Sequence, residues 1–282
     1  MSGLVLVGAG TMGVNIAALA LGHGLPVTLV DLDTAILDRA ATGIRTALRH
    51  GQLMGALPAD TPVATARTTT DLTSVAGAEV VIEAVTENAE CKAKLLAEVA
   101  GLVSPGTPLV SNTSGIPIDE LAGAVPRPED VIGTHFMNPT YLIGTTEVVR
   151  GPRTSEPTLR AVTVLLARMG RRSVVVNDSP GFVTSRLLHP MINDAARLVQ
   201  AGTATVEQVD ELMRGCLGHP TGPLRTADLI GLDNLADALR VLADRTGETR
   251  YAPCELLLAK VADGHHGRKS GRGFYDYGKV LS

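Results

Sequence analysis

The sequence has no tryptophan, three phenylalanines, four tyrosines and three cysteines, and neither sign of charge dominates it. Its 25 lysines and arginines stand against 29 aspartates and glutamates, a formal net charge of −4, which gives nucleic acid or an acidic membrane no basic surface to bind. Cys91, Cys216 and Cys254 are odd in number, widely spaced and form no C-x-x-C pair. Neither a disulfide framework nor a zinc site is therefore expected, no metal is assigned, and a reducing cytoplasm fits. Long apolar runs are also missing. Met1-Ser2-Gly3 leads straight into Leu4-Val5-Leu6-Val7, too short a run for an export signal or a bilayer span. Internal repeats and low-complexity segments are absent too. What is present is 282 residues, 45% of them hydrophobic, which is enough for two modest cores, and two domains are expected.

The first half alternates strands and helices. Leu4 to Val7 is a short apolar run, followed at once by Gly8-Ala9-Gly10-Thr11-Met12-Gly13 and an apolar helical stretch at 14–21. Each glycine has a mechanical reason in a strand, turn and helix of this kind. Gly8 makes the turn, Gly10 lets backbone N–H groups approach a pyrophosphate, and Gly13 lets helix and strand pack closely, with Thr11 and Met12 opening the helix between them. A second strand at 26–30 ends in Asp31, roughly 20 residues past the glycines, where a carboxylate accepts hydrogen bonds from an adenosine ribose and repels a 2′-phosphate. NAD is expected over NADP. The alternative role for Asp31, capping the next helix, suits Asp33 or Thr34 better, because the helical pattern of 35–49 begins near Ala35.

Residues 51–70 mix Gly, Pro, Ala and Thr with one basic residue, Arg67, and read as a helix tip and a connecting hairpin or loop. A near-continuous apolar strand follows at 79–85, then Thr86-Glu87-Asn88 and a helix over 89–100. Ligands of doubly wound sheets bind at the carboxyl ends of strands, so Glu87 and Lys92 are candidate contacts to the nicotinamide ribose; a solvated helix N-terminus is the alternative. The strand at 109–111 delivers Asn112-Thr113-Ser114-Gly115, whose small polar side chains can donate to a carbonyl oxygen or simply make a turn. Residues 131–133 lead into His135-Phe136-Met137-Asn138-Pro139. The strand at 145–149 returns, with Glu147 at its centre. A carboxylate in an apolar strand is costly without a partner, and the imidazole of His135 is the obvious one. Such a pair is a general base for removing a proton from an alcohol while hydride leaves to a nicotinamide.

Ser155 is the expected N-cap of a helix ending at Gly170, and a strand at 173–177 closes the alternation. Asp178-Ser179-Pro180-Gly181 reads as the hinge between domains at 1–178 and 179–282. Beyond it, 183–201, 205–216, 224–228, 234–246 and 253–263 carry the i, i+3/i+4 spacing of buried helices. The fold class is therefore α/β, a Rossmann-type doubly wound sheet followed by an all-α domain whose surplus of apolar helix surface predicts packing on a second copy. Three of the few aromatics sit near the end, in Gly273-Phe274-Tyr275-Asp276-Tyr277.

In this order the motifs resemble the short-chain L-3-hydroxyacyl-CoA dehydrogenases, including 3-hydroxybutyryl-CoA dehydrogenases, over nearly the whole chain. The residues that carry the resemblance are the Gly8 to Gly13 turn, Ile82-Glu83-Ala84-Val85 with Glu87-Asn88, Ser111-Asn112-Thr113-Ser114, His135-Phe136-Met137-Asn138-Pro139 and Glu147-Val148-Val149-Arg150-Gly151. Pro180-Gly181-Phe182-Val183, His219-Pro220-Thr221-Gly222-Pro223 and 267–275 continue it. It implies His135 as base, Glu147 as its partner, Ser114 on the substrate oxygen, Asn112 among the cofactor contacts, Asn138 and Lys92 near the nicotinamide end, and a homodimer formed by the helical domain.

Two positions depart from the family pattern. Ser185 stands where the family usually has an active-site asparagine, so a water or Asn193, two helical turns on, is expected to assist. Lysines suited to CoA phosphates are missing from 51–70 and after the Asn138-Pro139 turn. The acyl thioester is accordingly expected on CoA or, alternatively, on an acyl carrier protein, as in dehydrogenases that oxidise glyceryl-carrier protein for hydroxymalonyl or methoxymalonyl extender units. Arg150, Arg153, Arg168, Arg171 and Arg172 are then the candidate basic docking surface. A non-catalytic NAD-binding relative is the competing class. A sugar-acid or imino-acid dehydrogenase is disfavoured, since those use a lysine base.

Overall fold

The computed structural model describes residues 3–64 and 66–278. Contacts divide the chain into two units, residues 1–182 and 183–282.

The first unit is built on a sheet whose strands are short, apolar and mostly parallel. Strand β1 (Leu4–Val7) turns into helix α1 (Thr11–Gly22), and β2 (Val27–Val30) into α2 (Thr34–Leu53), which Asp33 caps by accepting the Ala35 N–H. Then come β3 (Ala66–Thr69), β4 (Val80–Glu83), α3 (Ala89–Leu102), β5 (Leu109–Ser111), α4 (Ile118–Ala122), β6 (Val131–His135), β7 (Thr145–Arg150), α5 (Glu156–Arg168) and β8 (Arg172–Asn177). The strand order is β3-β2-β1-β4-β5-β6-β7-β8, a doubly wound sheet. Side chains alternate across it: Leu4 and Leu6 join the core under α1, α2 and α5, while Val5 and Val7 join the core under α3 and α4. Only the β6 and β7 pair runs antiparallel among the described strands, in a register that sets His135 opposite Glu147.

Strand β3 corrects the reading of 51–70 as a helix tip and a connecting hairpin or loop. Residues 66–69 pair with β2 in parallel, from Val27 with Ala66 to Val30 with Thr69. The strand is at the sheet edge and largely exposed, so nothing demands an apolar pattern there. Its β-branched threonines suit a pleated ribbon without announcing one. The preceding helix also runs one turn further than 35–49, to Leu53.

The second unit holds α6 (Thr184–Gln200), α7 (Val206–Leu217), α8 (Pro223–Ile230), α9 (Leu232–Thr246) and α10 (Glu255–Ala262). Its core gathers Ile192, Leu224, Leu235, Leu239 and Leu257. Two buried aspartates pin the turns that the sequence marks with glycine. Asp210 accepts the N–H groups of Leu224 and Arg225 at 2.8 and 2.9 Å and the Tyr275 hydroxyl at 2.8 Å. Asp228 accepts the N–H groups of Phe274 and Tyr275 at 2.8 and 2.9 Å and the Tyr277 hydroxyl at 3.1 Å. A Cβ at Gly222 would collide with Asp210 and one at Gly273 with Asp228, so both glycines are required by the carboxylates they approach.

Candidate active site

The glycine turn meets the steric terms that its spacing predicts. Gly8 has φ +106°, and a Cβ there would come within 2.7 Å of the Ala84 backbone. A Cβ at Gly13 would collide with the Gly8 carbonyl oxygen, whereas one at Gly10 would meet nothing within 4 Å. Gly10 is also the N-cap of α1 and no side chain caps that first turn, so amide donors and the positive end of the helix dipole face open space beside Thr11 and Met12. Such a cradle fits a dinucleotide pyrophosphate. Asp31 follows β2 and each of its carboxylate oxygens accepts a backbone N–H: Oδ2 accepts that of Ala9 at 2.8 Å, tying the strand end to the turn. Its Oδ1 accepts the Asp33 N–H at 3.3 Å.

At the ends of β4 and β5, a hydrogen-bond network joins Glu83, Glu87, Lys92, Ser111, Thr113 and Ser114. Lys92 is not a solvated helix end. The residue is 1% exposed, and its ammonium lies 2.7 Å from Glu83 Oε1, 3.2 Å from the Val85 carbonyl oxygen and 3.3 Å from Glu87 Oε2. Three acceptors use up its three donors. The α3 N-terminus is exposed and capped by Asn88, whose side chain accepts the Cys91 N–H. Glu87 stays partly exposed and turns Oε1 to the Thr113 hydroxyl at 2.6 Å, the Ser114 N–H at 2.9 Å and the Ser114 hydroxyl at 3.2 Å.

The next strand end holds the imidazole. His135 Nδ1 lies 3.1 Å from Glu147 Oε2, both residues are buried, and the pair sits in strand register across β6 and β7. Phe182 packs edge-on against the imidazole, with ring centroids 6.0 Å apart at 65°. The sequence reading noted Phe182 only within a motif and missed this contact; its positive φ of 51°, rare for a bulky side chain, is not visible in sequence. Asn112 Oδ1 accepts the Phe136 N–H at 3.1 Å, so this amide secures the backbone next to His135. Asn138 is exposed in the following turn.

Ser185 lies in the second unit, buried on α6. Asn193 corrects the expectation that it stands in for the family's asparagine. It is fully buried, donates to the Ala252 carbonyl at 2.9 Å and accepts the Cys254 N–H at 2.9 Å, so its amide is occupied in holding the start of α10. The proposed arginine surface also changes. Arg171 is 7% exposed and donates to the carbonyls of Met169, Thr140 and Ile143, and burial pulls its guanidinium below the usual arginine range. Arg150 is paired with Glu156 at 2.6 Å and Arg153 with Asp119 at 2.7 Å, leaving Arg168 and Arg172 exposed.

Unpaired cations appear instead on α2. Arg39, Arg45 and Arg49 are exposed, and none of them pairs with an acidic side chain among the described residues. Of the three, Arg39 lines a groove of about 690 Å³, together with Gly10, His50, Asn138, Pro139 and Tyr141 among others.

A doubly wound nucleotide domain with a capless glycine turn and a buried His–Glu pair defines an NAD-dependent oxidoreductase, and comparison with known proteins narrows the class. The model of the 3-hydroxyacyl-CoA dehydrogenase NAD-binding domain matches residues 3–179, and that of the same family's C-terminal domain matches residues 181–277. A probable 3-hydroxybutyryl-CoA dehydrogenase of Bacillus subtilis is 39% identical over 99% of this chain and 98% of its own length. Among solved structures, FadB2 of M. tuberculosis superposes with a TM-score of 0.93 at 36% identity, covering 99% of both chains. The (S)-3-hydroxybutyryl-CoA dehydrogenase PaaH1 of Ralstonia eutropha gives 0.89 at 37% identity, covering 98% of this chain and 99% of its own. The chain belongs to the 3-hydroxyacyl-CoA dehydrogenase family. No helix among the described residues is long and apolar enough to cross a membrane.

Proposed function

We propose that the protein interconverts a short 3-hydroxyacyl-CoA and its 3-oxoacyl thioester, with His135 as the base. The observation that carries this reading is the buried contact of His135 Nδ1 with Glu147 Oε2 at 3.1 Å. Bound NAD supplies the hydride acceptor. Glu147 accepts from Nδ1–H and so selects the tautomer in which Nε2 takes the proton of the substrate hydroxyl, and the carboxylate stabilises the imidazolium that forms. Phe182 packs edge-on against the ring. The Ser114 hydroxyl, already oriented by Glu87, hydrogen-bonds the oxygen on C3. Asp31 holds the adenosine ribose, and Glu87 and Asn138 face the nicotinamide end, with Lys92 supporting Glu87 from behind.

CoA is the thioester carrier that the charge distribution supports. Arg39, in the lining of the α2 groove, and Arg49 on the same helix supply positive charge that the missing lysines of 51–70 do not, and phosphates of the arm meet them there. The similar proteins from B. subtilis and R. eutropha carry 3-hydroxybutyryl-CoA in their names, in keeping with a short acyl group. Exposed leucines on the helical unit, Leu187, Leu212 and Leu217, support a homodimer formed through it, which light scattering tests.

The reaction is tested by following NADH oxidation with acetoacetyl-CoA and with the same acyl group on an acyl carrier protein. Faster turnover with CoA is expected. Preference for the carrier protein would replace the CoA reading, and no oxidation with either would remove the enzyme reading.

A further inference from the structure

Glu83 is a buried carboxylate that the catalytic scheme leaves unused. It closes β4 in the middle of the sheet, in register with Val7 on one side and Ser111 on the other, and is 1% exposed. Each group facing it is a donor: the Lys92 ammonium and the Val85 N–H at 2.7 Å on Oε1, and the Ser111 hydroxyl at 2.6 Å on Oε2. Surroundings made only of donors match a carboxylate, which when ionised can only accept. Lys92 is shared unequally, 2.7 Å from Glu83 and 3.3 Å from the side chain of Glu87. Two carboxylates therefore divide one ammonium. The nearer, buried acid is the one neutralised, and the uncompensated charge resides on Glu87, whose side chain is 43% exposed.

Glu87 sits beyond β4 on the far side of β1 from Asp31 and β2. A dinucleotide whose pyrophosphate lies on the β1–α1 turn and whose adenosine lies on the β2 side directs its nicotinamide toward β4 and β5. The oxidised ring carries a positive charge there and the reduced ring none, so a fixed negative charge distinguishes the two.

We propose that Glu83 is a positioning residue that, by occupying Lys92, leaves a net negative charge on Glu87 and so favours NAD+ over NADH at this site. The inference rests on the reading of Glu87 as a neighbour of the nicotinamide. Glu83→Gln keeps the shape of the side chain but removes its charge. Lys92 is then left with Glu87 alone, and the cluster becomes neutral.

The test is the pair of dissociation constants for NAD+ and NADH, measured by titration of the full chain without thioester. In Glu83→Gln the ratio Kd(NADH)/Kd(NAD+) is expected to fall by about three- to tenfold, mainly through weaker NAD+ binding. Glu83→Asp, which keeps the charge, is expected to restore the ratio. Glu87→Gln changes a partly exposed residue, is expected to shift the ratio in the same direction, and decides the matter if Glu83→Gln does not fold. Wild-type ratios in the Gln variants, or a Glu83→Asp ratio like that of Glu83→Gln, would overturn the inference. Failure of the wild type to bind either coenzyme would instead remove the functional reading beneath it.

Discussion

His135 and Glu147 face each other across β6 and β7, imidazole Nδ1 to carboxylate Oε2, at 3.1 Å. The two residues are 12 apart in the chain, and only the antiparallel return of β7 brings them into register. Replacing His135 by Gln keeps a polar side chain of similar size but removes the proton acceptor. Turnover of acetoacetyl-CoA is expected to drop by roughly two to four orders of magnitude while the Kd for NADH stays within about twofold. Steady-state kinetics with a parallel NADH titration check it, and near-normal turnover would place the base elsewhere.

Gly10 separates cofactor binding from folding. Its φ of −72° suits any residue, and a Cβ there meets nothing within 4 Å, so Gly10→Ala is expected to melt at the wild-type temperature. The added methyl occupies the space that backbone donors leave for a pyrophosphate, and NADH affinity is expected to weaken by about tenfold or more. Gly13→Ala should behave differently, losing stability as well, because its Cβ collides with the Gly8 carbonyl oxygen. Thermal melts set beside coenzyme titrations distinguish the two.

The α2 cations can be tested with a truncated thioester. With Arg39 and Arg49 both changed to Ala, KM for acetoacetyl-CoA is expected to rise about tenfold. KM for the acetoacetyl thioester of N-acetylcysteamine, which lacks phosphates, should be unaffected. An equal rise for both substrates would mean that these arginines do not meet the phosphates.

Asp228 gives the helical unit a pH dependence. Burial pushes its carboxyl above the usual aspartate range, against the lowering effect of the Tyr275 and Phe274 N–H groups and the Tyr277 hydroxyl, whose own value is pushed up to about 12 by burial and by Asp228. A folded value above the unfolded one means that this group's contribution is whole below the unfolded value and is lost as pH rises through the folded one. Melting temperature should therefore gain from this residue as pH falls from neutral into the carboxylate range. Asp228→Asn should flatten that gain. It should also cost about 1–3 kcal/mol overall, since the amide nitrogen leaves a buried donor unpaired. Melts across pH on both proteins test the slope and the offset together.

Local chemistry was enough to read the alternation of short apolar strands with helices, the glycine turn, the Ser155 and Asp33 caps and the helical second half, because each depends on residues within a turn or a strand of one another. The glycine spacing carried its own geometry, since the steric demands at Gly8, Gly10 and Gly13 belong to a single turn. The pairing of His135 with Glu147 was also legible, because a carboxylate in an apolar strand calls for a partner and the hairpin is short. Elsewhere the same residue types had two possible environments. Whether Lys92 meets solvent or Glu83, whether Asn193 lines a site or holds Cys254, and whether Arg171 faces water or backbone carbonyls depend on which distant segments come together: Asn193 and Cys254 are 61 positions apart and Arg171 and Thr140 are 31. Composition cannot rank such pairings, because a buried ion pair and an exposed one use identical side chains. Edge strand β3 escaped for a related reason, since a ribbon with no covered face carries no apolar period. Sequence determined which elements form and which chemistry the chain possesses, whereas tertiary structure decided which charged groups are already neutralised inside the protein and which are left to meet a ligand.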